Sequence, residues 1–260
     1  MLLPRVLTAA VGIPLLLFLL HAGGLAWTAF TVAVSVLCVY EYGLILAAGG
    51  RPVQRWTLLL GGAALALGVA LGGPVQALLC AVAALFLLRE MFSPVHSLER
   101  LSFTLLGALL LGWMPAHLAL VRELRPDGEK LTFLLFIAVW LTDSAAYAAG
   151  RAFGRHKLAA GLSPKKTWEG ALAGFAFAVG GAYLLQRGLS PSGLGPRGAL
   201  ALGALIGICG QLSDLAESMI KRAVGAKDSG NLLPGHGGVL DRFDSFILAA
   251  PAVYYFLTLK

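Results

Sequence analysis

The chain has 260 residues, of which 58% are hydrophobic and only 13% charged, with a formal net charge of +7 and a mean hydropathy of +0.81. An ordinary soluble domain is about a quarter charged, so a single water-soluble domain is excluded for want of charge to cover its surface, and disorder is excluded by the apolar content. Thirty-three glycines without a Gly-x-y period exclude collagen, which leaves a polytopic membrane protein built as helices or as a closed barrel.

The apolar runs are continuous, whereas barrel strands alternate. Residues 131–150 carry one charge, Asp143, and residues 101–121 carry none. About 20 residues at ~1.5 Å each cross a ~30 Å hydrocarbon core. The expected fold is therefore all-α, with about nine transmembrane helices near 5–22, 24–47, 57–72, 74–91, 101–121, 131–150, 168–187, 198–221 and 244–259. Only Gly72-Gly73-Pro74 separates the third span from the fourth, so the two are read as a hairpin; one broken helix would make the total eight. The first 20 residues have a basic residue and an apolar core, as a signal peptide does. They lack a small-x-small cleavage site and are read as a retained first helix.

Lys and Arg favour cytoplasmic loops. With the N-terminus inside, the inner segments hold 14 of these residues and the outer segments 6. The expected placement is the cytoplasmic (inner) membrane, with the N-terminus and the polar loops of the second half in the cytoplasm. The net charge then reflects topology and attraction to anionic lipid. No aromatic-interleaved basic groove or zinc-finger spacing points to nucleic acid, and none is expected as a partner. Cys38, Cys80 and Cys209 each lie in an apolar run without a C-x-x-C, which gives neither a disulfide framework nor a zinc site. The abundant Gly and Ala are read as close helix packing.

Polar residues concentrate late in the chain. Residues 1–125 are therefore expected to supply packing, a lipid-facing wall or a homodimer interface, and residues 126–260 a catalytic transmembrane region with cytoplasmic loops. Glu41, an acid within an early span, is read as lying near a helix end in reach of water. In QLSDLAESMIKR, Gln211, Asp214, Ser218, Lys221 and Arg222 form one helical stripe. Asp214 and Glu217 fall toward the membrane end of that stripe, where an acid costs about 2.5–3.5 kcal/mol on insertion scales. An ion pair with Lys221 is one explanation and a cation the other.

The segment KDSGNLLPGHGGVLDRFDS, residues 227–245, is too polar to span and too glycine-rich for a long helix. Gly235, Gly237 and Gly238 permit tight turns and close approach to a ligand. Asp241 and Asp244 share a face at the start of the last span, and clustered carboxylates suit a hard cation such as Mg²⁺. In SPKKTWEG, residues 163–170, Ser163 followed by Pro164 reads as a helix start, and Thr167 with Glu169 offers a start one turn later. Either start presents N–H groups beside Lys165 and Lys166, an arrangement suited to phosphate. Asp143 lies inside a span with Tyr147 one turn on; it calls for a partner, a cation or a hydrogen bond to a neighbouring helix. No P-loop, G-x-S-x-G elbow or H-E-x-x-H is present. Physics alone therefore reaches a membrane enzyme or transporter with a cation-binding, phosphate-friendly cytoplasmic site.

The run Ser218-Met-Ile-Lys221-Arg222, then Lys227-Asp228, then Leu233-Pro234-Gly235-His236-Gly237-Gly238-Val-Leu-Asp241-Arg242-Phe243-Asp244 closely resembles the C-terminal signature of the phosphatidate cytidylyltransferases (CDP-diacylglycerol synthases). SPKKTWEG and the W-x-x-D-x-x-A-Y pattern at 140–147 are also similar to that family. The resemblance covers roughly residues 140–245. It implies a nucleotidyltransferase of phospholipid biosynthesis, which makes CDP-diacylglycerol and pyrophosphate from CTP and phosphatidate with Mg²⁺, alone or with a second cation. On that basis Asp214 and Asp241 are expected to ligate the metal, with Asp244 a third ligand or an outer acceptor. Lys221, Arg222 and Lys227 are expected on CTP phosphates or pyrophosphate, with Ser218, Asp228 and Arg242 in the same substrate-binding set. Ser163, Lys165, Lys166 and Thr167 are expected on the other phosphate. His236 is expected to contact phosphate or to shape the glycine turn, and Asp143 and Glu217 are further candidates. The rival readings are a cytidylyltransferase for another lipid phosphate, and a cation- or proton-coupled transporter.

Overall fold

Backbone polar groups have no water to bond in a bilayer, so continuous apolar runs satisfy them within helices. The computed structural model describes residues 3–259 and is helical almost throughout. The charges counted above on the Arg5 side chain and on Lys260 lie outside the described residues. In chain order the helices are α1 Leu3–Ala22, α2 Gly24–Ala48, α3 Arg55–Ala70, α4 Val75–Met91, α5 Leu98–Gly107, α6 His117–Glu123, α7 Gly128–Phe153, α8 Trp168–Leu189, α9 Pro196–Ala223, α10 Leu240–Phe243 and α11 Phe246–Thr258. A π-helical segment, Ala108–Trp113, follows α5 directly.

Among the described residues, five helical stretches are long and apolar enough to cross a membrane: Gly24–Ala48, Leu98–Glu123, Gly128–Phe153, Trp168–Leu189 and Pro196–Ala223. Val6–Ala22 and Arg55–Ala70 are shorter apolar helices. This is the build of a helical membrane protein. The third and fourth expected spans are separate helices, α3 and α4, with Gly72 at φ +67° between them. The last expected span begins later than read: α11 has 13 residues and is preceded by the single turn of α10.

The chain divides into two compact units. The first comprises the residues up to Leu120 together with Ile220–Phe243. Its helices approach closely where they carry glycine: a Cβ on Gly112 would lie 2.7 Å from the Gly62 Cα, and one on Gly62 would press on Val39 at 2.9 Å. Trp27 is fully buried and donates from Nε1 to the Leu118 carbonyl at 3.0 Å. The Tyr42 hydroxyl donates to the Phe103 carbonyl at 2.9 Å. At the α4–α5 turn the buried Glu90 accepts from Arg100 Nε at 2.9 Å, Gln54 Nε2 at 2.8 Å and the Ser97 amide at 2.6 Å. That arrangement leaves no charge stranded in the core.

The second unit comprises Val121–Met219 and the chain from Asp244 on. Here α7 and α8 pack along a seam of small residues. A Cβ on Gly170 would lie 2.6 Å from the Ala146 carbonyl oxygen, and one on Gly174 would lie 2.9 Å from that of Thr142. Helix α9 packs on α8 in the same way, with Gly203 against Ala178 and Val179. Phe246 of α11 lies 4.4 Å from Phe136 of α7, ring centroid to ring centroid. Large apolar side chains on the open side of α8, among them Leu172, Phe177 and Leu184, remain exposed, as suits a wall that meets lipid.

One expectation of an all-α fold is corrected. Ser163 does not cap a helix: Ser163–Thr167 is strand β2, paired antiparallel with β1, Lys157–Ala159. Pro164 cannot donate to a ladder, but a strand edge does not ask it to. The later helix start holds. Thr167 has extended backbone angles, φ −129° and ψ 156°, and its Oγ1 accepts the Gly170 amide at 3.2 Å as the N-cap of α8.

Candidate active site

In the second unit, α7, the β1–β2 hairpin, α8 and α9 line a cleft of about 660 Å³. The hairpin contributes Lys157, Ser163, Lys165, Lys166 and Thr167; α7 contributes Asp143, Tyr147 and Arg151; α9 contributes Gln211 and Asp214. An antiparallel hairpin lets two consecutive lysines reach the cleft rim without helical structure at that point. Lys166 Nζ meets Asp214 Oδ2 at 2.6 Å, so two separate sequence motifs join in one ion pair. Ser218, one turn on from Asp214, donates to its Oδ1 at 3.5 Å. Gln211 spans α9 and α8, donating to the carbonyls of Gly207 at 2.8 Å and Ala171 at 3.2 Å.

Beside Asp214 lies an acidic group. Carboxylate oxygens of Asp214, Glu217 and Asp244 all lie within 4.8 Å of one another. Asp214 and Glu217 are three apart on α9, on one helical face. The Ser213 hydroxyl donates to the Asp244 carbonyl and accepts the Leu248 amide at 3.2 Å, which fixes the turn before α11 against α9. The Ser245 amide donates to Asp244 Oδ1 at 2.6 Å. Two like charges 4 Å apart repel by about 4 kcal/mol at an effective dielectric constant of 20, so three grouped carboxylates favour positive charge beside them. The donors are all hard oxygens, and oxygens across an octahedral Mg²⁺ are about 4 Å apart. The residues present therefore fit a hard divalent cation.

In the first unit, the segment from Lys221 to Phe243 folds around Asp241. Lys221 Nζ meets Asp241 Oδ1 at 2.8 Å. The Ser229 amide donates to Oδ1 at 3.1 Å and Oδ2 at 2.9 Å, and the Gly238 amide to Oδ2 at 2.8 Å. Burial pushes the Asp241 carboxyl upward, but Lys221 and the two amides outweigh it and hold the group below its ordinary value. Gly237 has φ +85°, a region open to glycine at little steric cost. A Cβ there would also lie 2.8 Å from Asp241 Oδ2. Arg242 donates from Nε to the His236 carbonyl at 3.0 Å, and Arg222 from Nη1 to that of Ala226 at 2.9 Å. Asp228, His236 and Arg242 line an open cleft of about 710 Å³, and Lys227 is exposed next to it in sequence.

In the second unit Asp214 and Asp244 are grouped with Glu217; in the first unit Asp241 is engaged by a lysine and by loop amides. Arg151 and Lys157, counted above only for topology, line the second-unit cleft. Glu41 is the further surprise. It is buried, at 1% exposure, and its carboxylate accepts the Ser229 hydroxyl at 2.8 Å and the Val239 and Leu240 amides at 2.9 Å each. Nothing near Glu41 in the sequence marks this, because its partners lie 188 to 199 residues away.

A model described as a cytidylyltransferase family matches residues 3–260 of the chain. A phosphatidate cytidylyltransferase of Brucella suis is 37% identical over 264 residues, covering 97% of this chain and 92% of its own. One of Synechocystis sp. is 35% identical over 287 residues, covering 98% and 96%. One of Bacillus subtilis is 37% identical over 161 residues, covering 62% and 60%.

Proposed function

Because the chain belongs to the cytidylyltransferase family, we propose that it transfers the cytidylyl group of CTP to phosphatidate, giving CDP-diacylglycerol and pyrophosphate. The observation that carries this reading is the second-unit cleft, lined by both lysines of SPKKTW, where Lys166 meets Asp214 beside two more carboxylates. A phosphate oxygen of the lipid attacks the α-phosphorus of CTP; the bond from that phosphorus to the bridging oxygen breaks, and pyrophosphate leaves. The second pKa of a phosphate monoester is about 6, so this nucleophile is already ionised at neutral pH and needs no strong general base. What the protein must supply is alignment and charge compensation.

Lys165 and Lys166, with the hydroxyls of Ser163 and Thr167, are assigned to the lipid phosphate. Tyr147 and the small residues Ala146 and Ala171 provide a less polar wall to the same cleft. Lys221, Arg222 and Lys227 are assigned to the phosphates of CTP and of the leaving pyrophosphate, with Asp228, His236 and Arg242 shaping the approach and Ser218 steadying Asp214. Asp214, Glu217 and Asp244 would hold Mg²⁺, and Asp143 lies in the same cleft as a further acidic group. A bound divalent ion neutralises charge on the triphosphate and on the leaving group. Asp241, whose two oxygens already accept four contacts, is assigned to holding Lys221 and the glycine loop. With about nine spans, as the apolar runs suggest, the Lys/Arg bias supports an N-terminus in the cytoplasm and catalytic loops on the cytoplasmic side of the inner membrane.

The test is pyrophosphate release by purified protein with CTP against a panel of lipid phosphates. Phosphatidate is expected to be the best acceptor; CTP-independent ion flux with no pyrophosphate release would replace this reading with a transporter. Replacing Lys165 and Lys166 together with Gln is expected to raise the KM for phosphatidate about tenfold or more, since each charge-assisted contact contributes roughly 1.5–3 kcal/mol. Initial rates over a range of phosphatidate concentrations check this, and an unchanged KM would return the two lysines to topology anchors.

A further inference from the structure

We infer that Glu41, in the second helix of the chain, is a positioning residue for the glycine loop: its buried carboxylate clamps Ser229, Val239 and Leu240 and thereby holds Lys221 and Asp241 in register for CTP. The inference rests on the proposed function for its kinetic consequence, but its geometry stands within the first unit alone.

Two carboxylates share the loop. Ser229 bridges them, giving its hydroxyl to Glu41 at 2.8 Å and its amide to Asp241 at 2.9 Å. Gly238 donates to Asp241, and the next two amides, of Val239 and Leu240, donate to Glu41. The start and the end of the loop are thus tied to the same two acids. The loop's glycines follow from this arrangement. A Cβ on Gly230 would lie 2.9 Å from Glu41 Oε1, and one on Gly238 would run into both Ser229 Oγ and the Glu41 carboxylate. Glu41 is 1% exposed, and both its carboxylate oxygens are turned to the loop. It therefore acts through the loop. Loss of its carboxylate frees three donors at once, and a shift of about 1 Å at a reacting group can cost 10²-fold in rate.

The test compares full-length wild-type protein in detergent or nanodiscs with Glu41→Gln and Ser229→Ala. Glutamine keeps the size of the side chain but turns one acceptor oxygen into a donor facing donors. The expected result is a KM for CTP raised about tenfold and a kcat lowered about 10²-fold, with the KM for phosphatidate within threefold of wild type. Hydrogen exchange of residues 229–241 should accelerate while α7 and α8 remain protected. Unchanged CTP kinetics, or faster exchange spread evenly over the whole chain, would overturn the positioning role. If Glu41→Gln does not accumulate, Ser229→Ala, which removes a single bridge, must show the same CTP-selective loss in smaller degree; equal kinetics there would also overturn it. Wild-type protein inactive with CTP and phosphatidate would defeat the functional reading instead, and the exchange pattern would still decide whether Glu41 holds the loop.

Discussion

Asp214→Asn and Asp244→Asn are each expected to lower pyrophosphate release by about 100-fold or more and to raise the Mg²⁺ concentration needed for the remainder. Charge stabilisation by a bound metal amounts to several kcal/mol in phosphoryl-type transition states, and each 1.36 kcal/mol is a factor of ten in rate. Asn preserves the shape of the side chain and removes one negative charge from a group whose oxygens lie within 4.8 Å of one another. In Asp214→Asn the Lys166 ammonium also loses its partner at 2.6 Å. Asp244→Asn leaves that pair intact and retains the backbone contact of the turn with Ser213. A similar loss in both variants therefore points to the shared cation and not to the lysine. Initial rates across a Mg²⁺ titration make the comparison; full activity in either variant at ordinary Mg²⁺ would remove that residue from the ligand set.

Asp241→Asn is expected to act by another route. The Lys221–Asp241 pair is nearly buried, with 12% and 7% side-chain exposure. Removal of one partner from a buried pair typically costs about 3–5 kcal/mol. The variant should lose order in residues 221–243 first, seen as faster hydrogen exchange there, and should lose affinity for CTP with little change in Mg²⁺ requirement. The wild-type pair also has a defined pH dependence. The folded carboxyl lies below its ordinary value of 3.8, so the unfolded state binds the proton more readily. The stabilisation is then complete above 3.8 and is lost as pH falls through the lowered folded value. Exchange in this segment should be insensitive to titration of Asp241 between pH 7 and 5, and should accelerate only in stronger acid. An equal Mg²⁺ shift in Asp241→Asn and Asp214→Asn would restore Asp241 to the metal.

The helical membrane build was legible because a 58% hydrophobic chain with 13% charge leaves few alternatives, and continuous apolar runs carry the helix signal by themselves. The site was legible where chemistry is dense along the chain. The Gln211–Arg222 stripe, the glycine loop and SPKKTW each announce themselves locally, and the Lys166–Asp214 pair joins two of them. What was not legible depends on distant contacts. The bonds of Glu41 to the loop skip most of the chain, so its carboxylate looked like one acid near a helix end. That Glu217 stands with Asp214 and Asp244 is a matter of side-chain direction, which the spacing along the chain does not give. The strand at Ser163–Thr167 was missed because Ser-Pro is also a common helix start, and only pairing with Lys157–Ala159 decides between the two.

Binding of Mn²⁺, followed by electron paramagnetic resonance on the purified protein in the presence of CTP, tests the metal assignment without relying on turnover. The account predicts that wild type and Asp241→Asn take up the ion, while Asp214→Asn and Asp244→Asn release it to solution. Undiminished binding in the latter two, with loss only in Asp241→Asn, would contradict it.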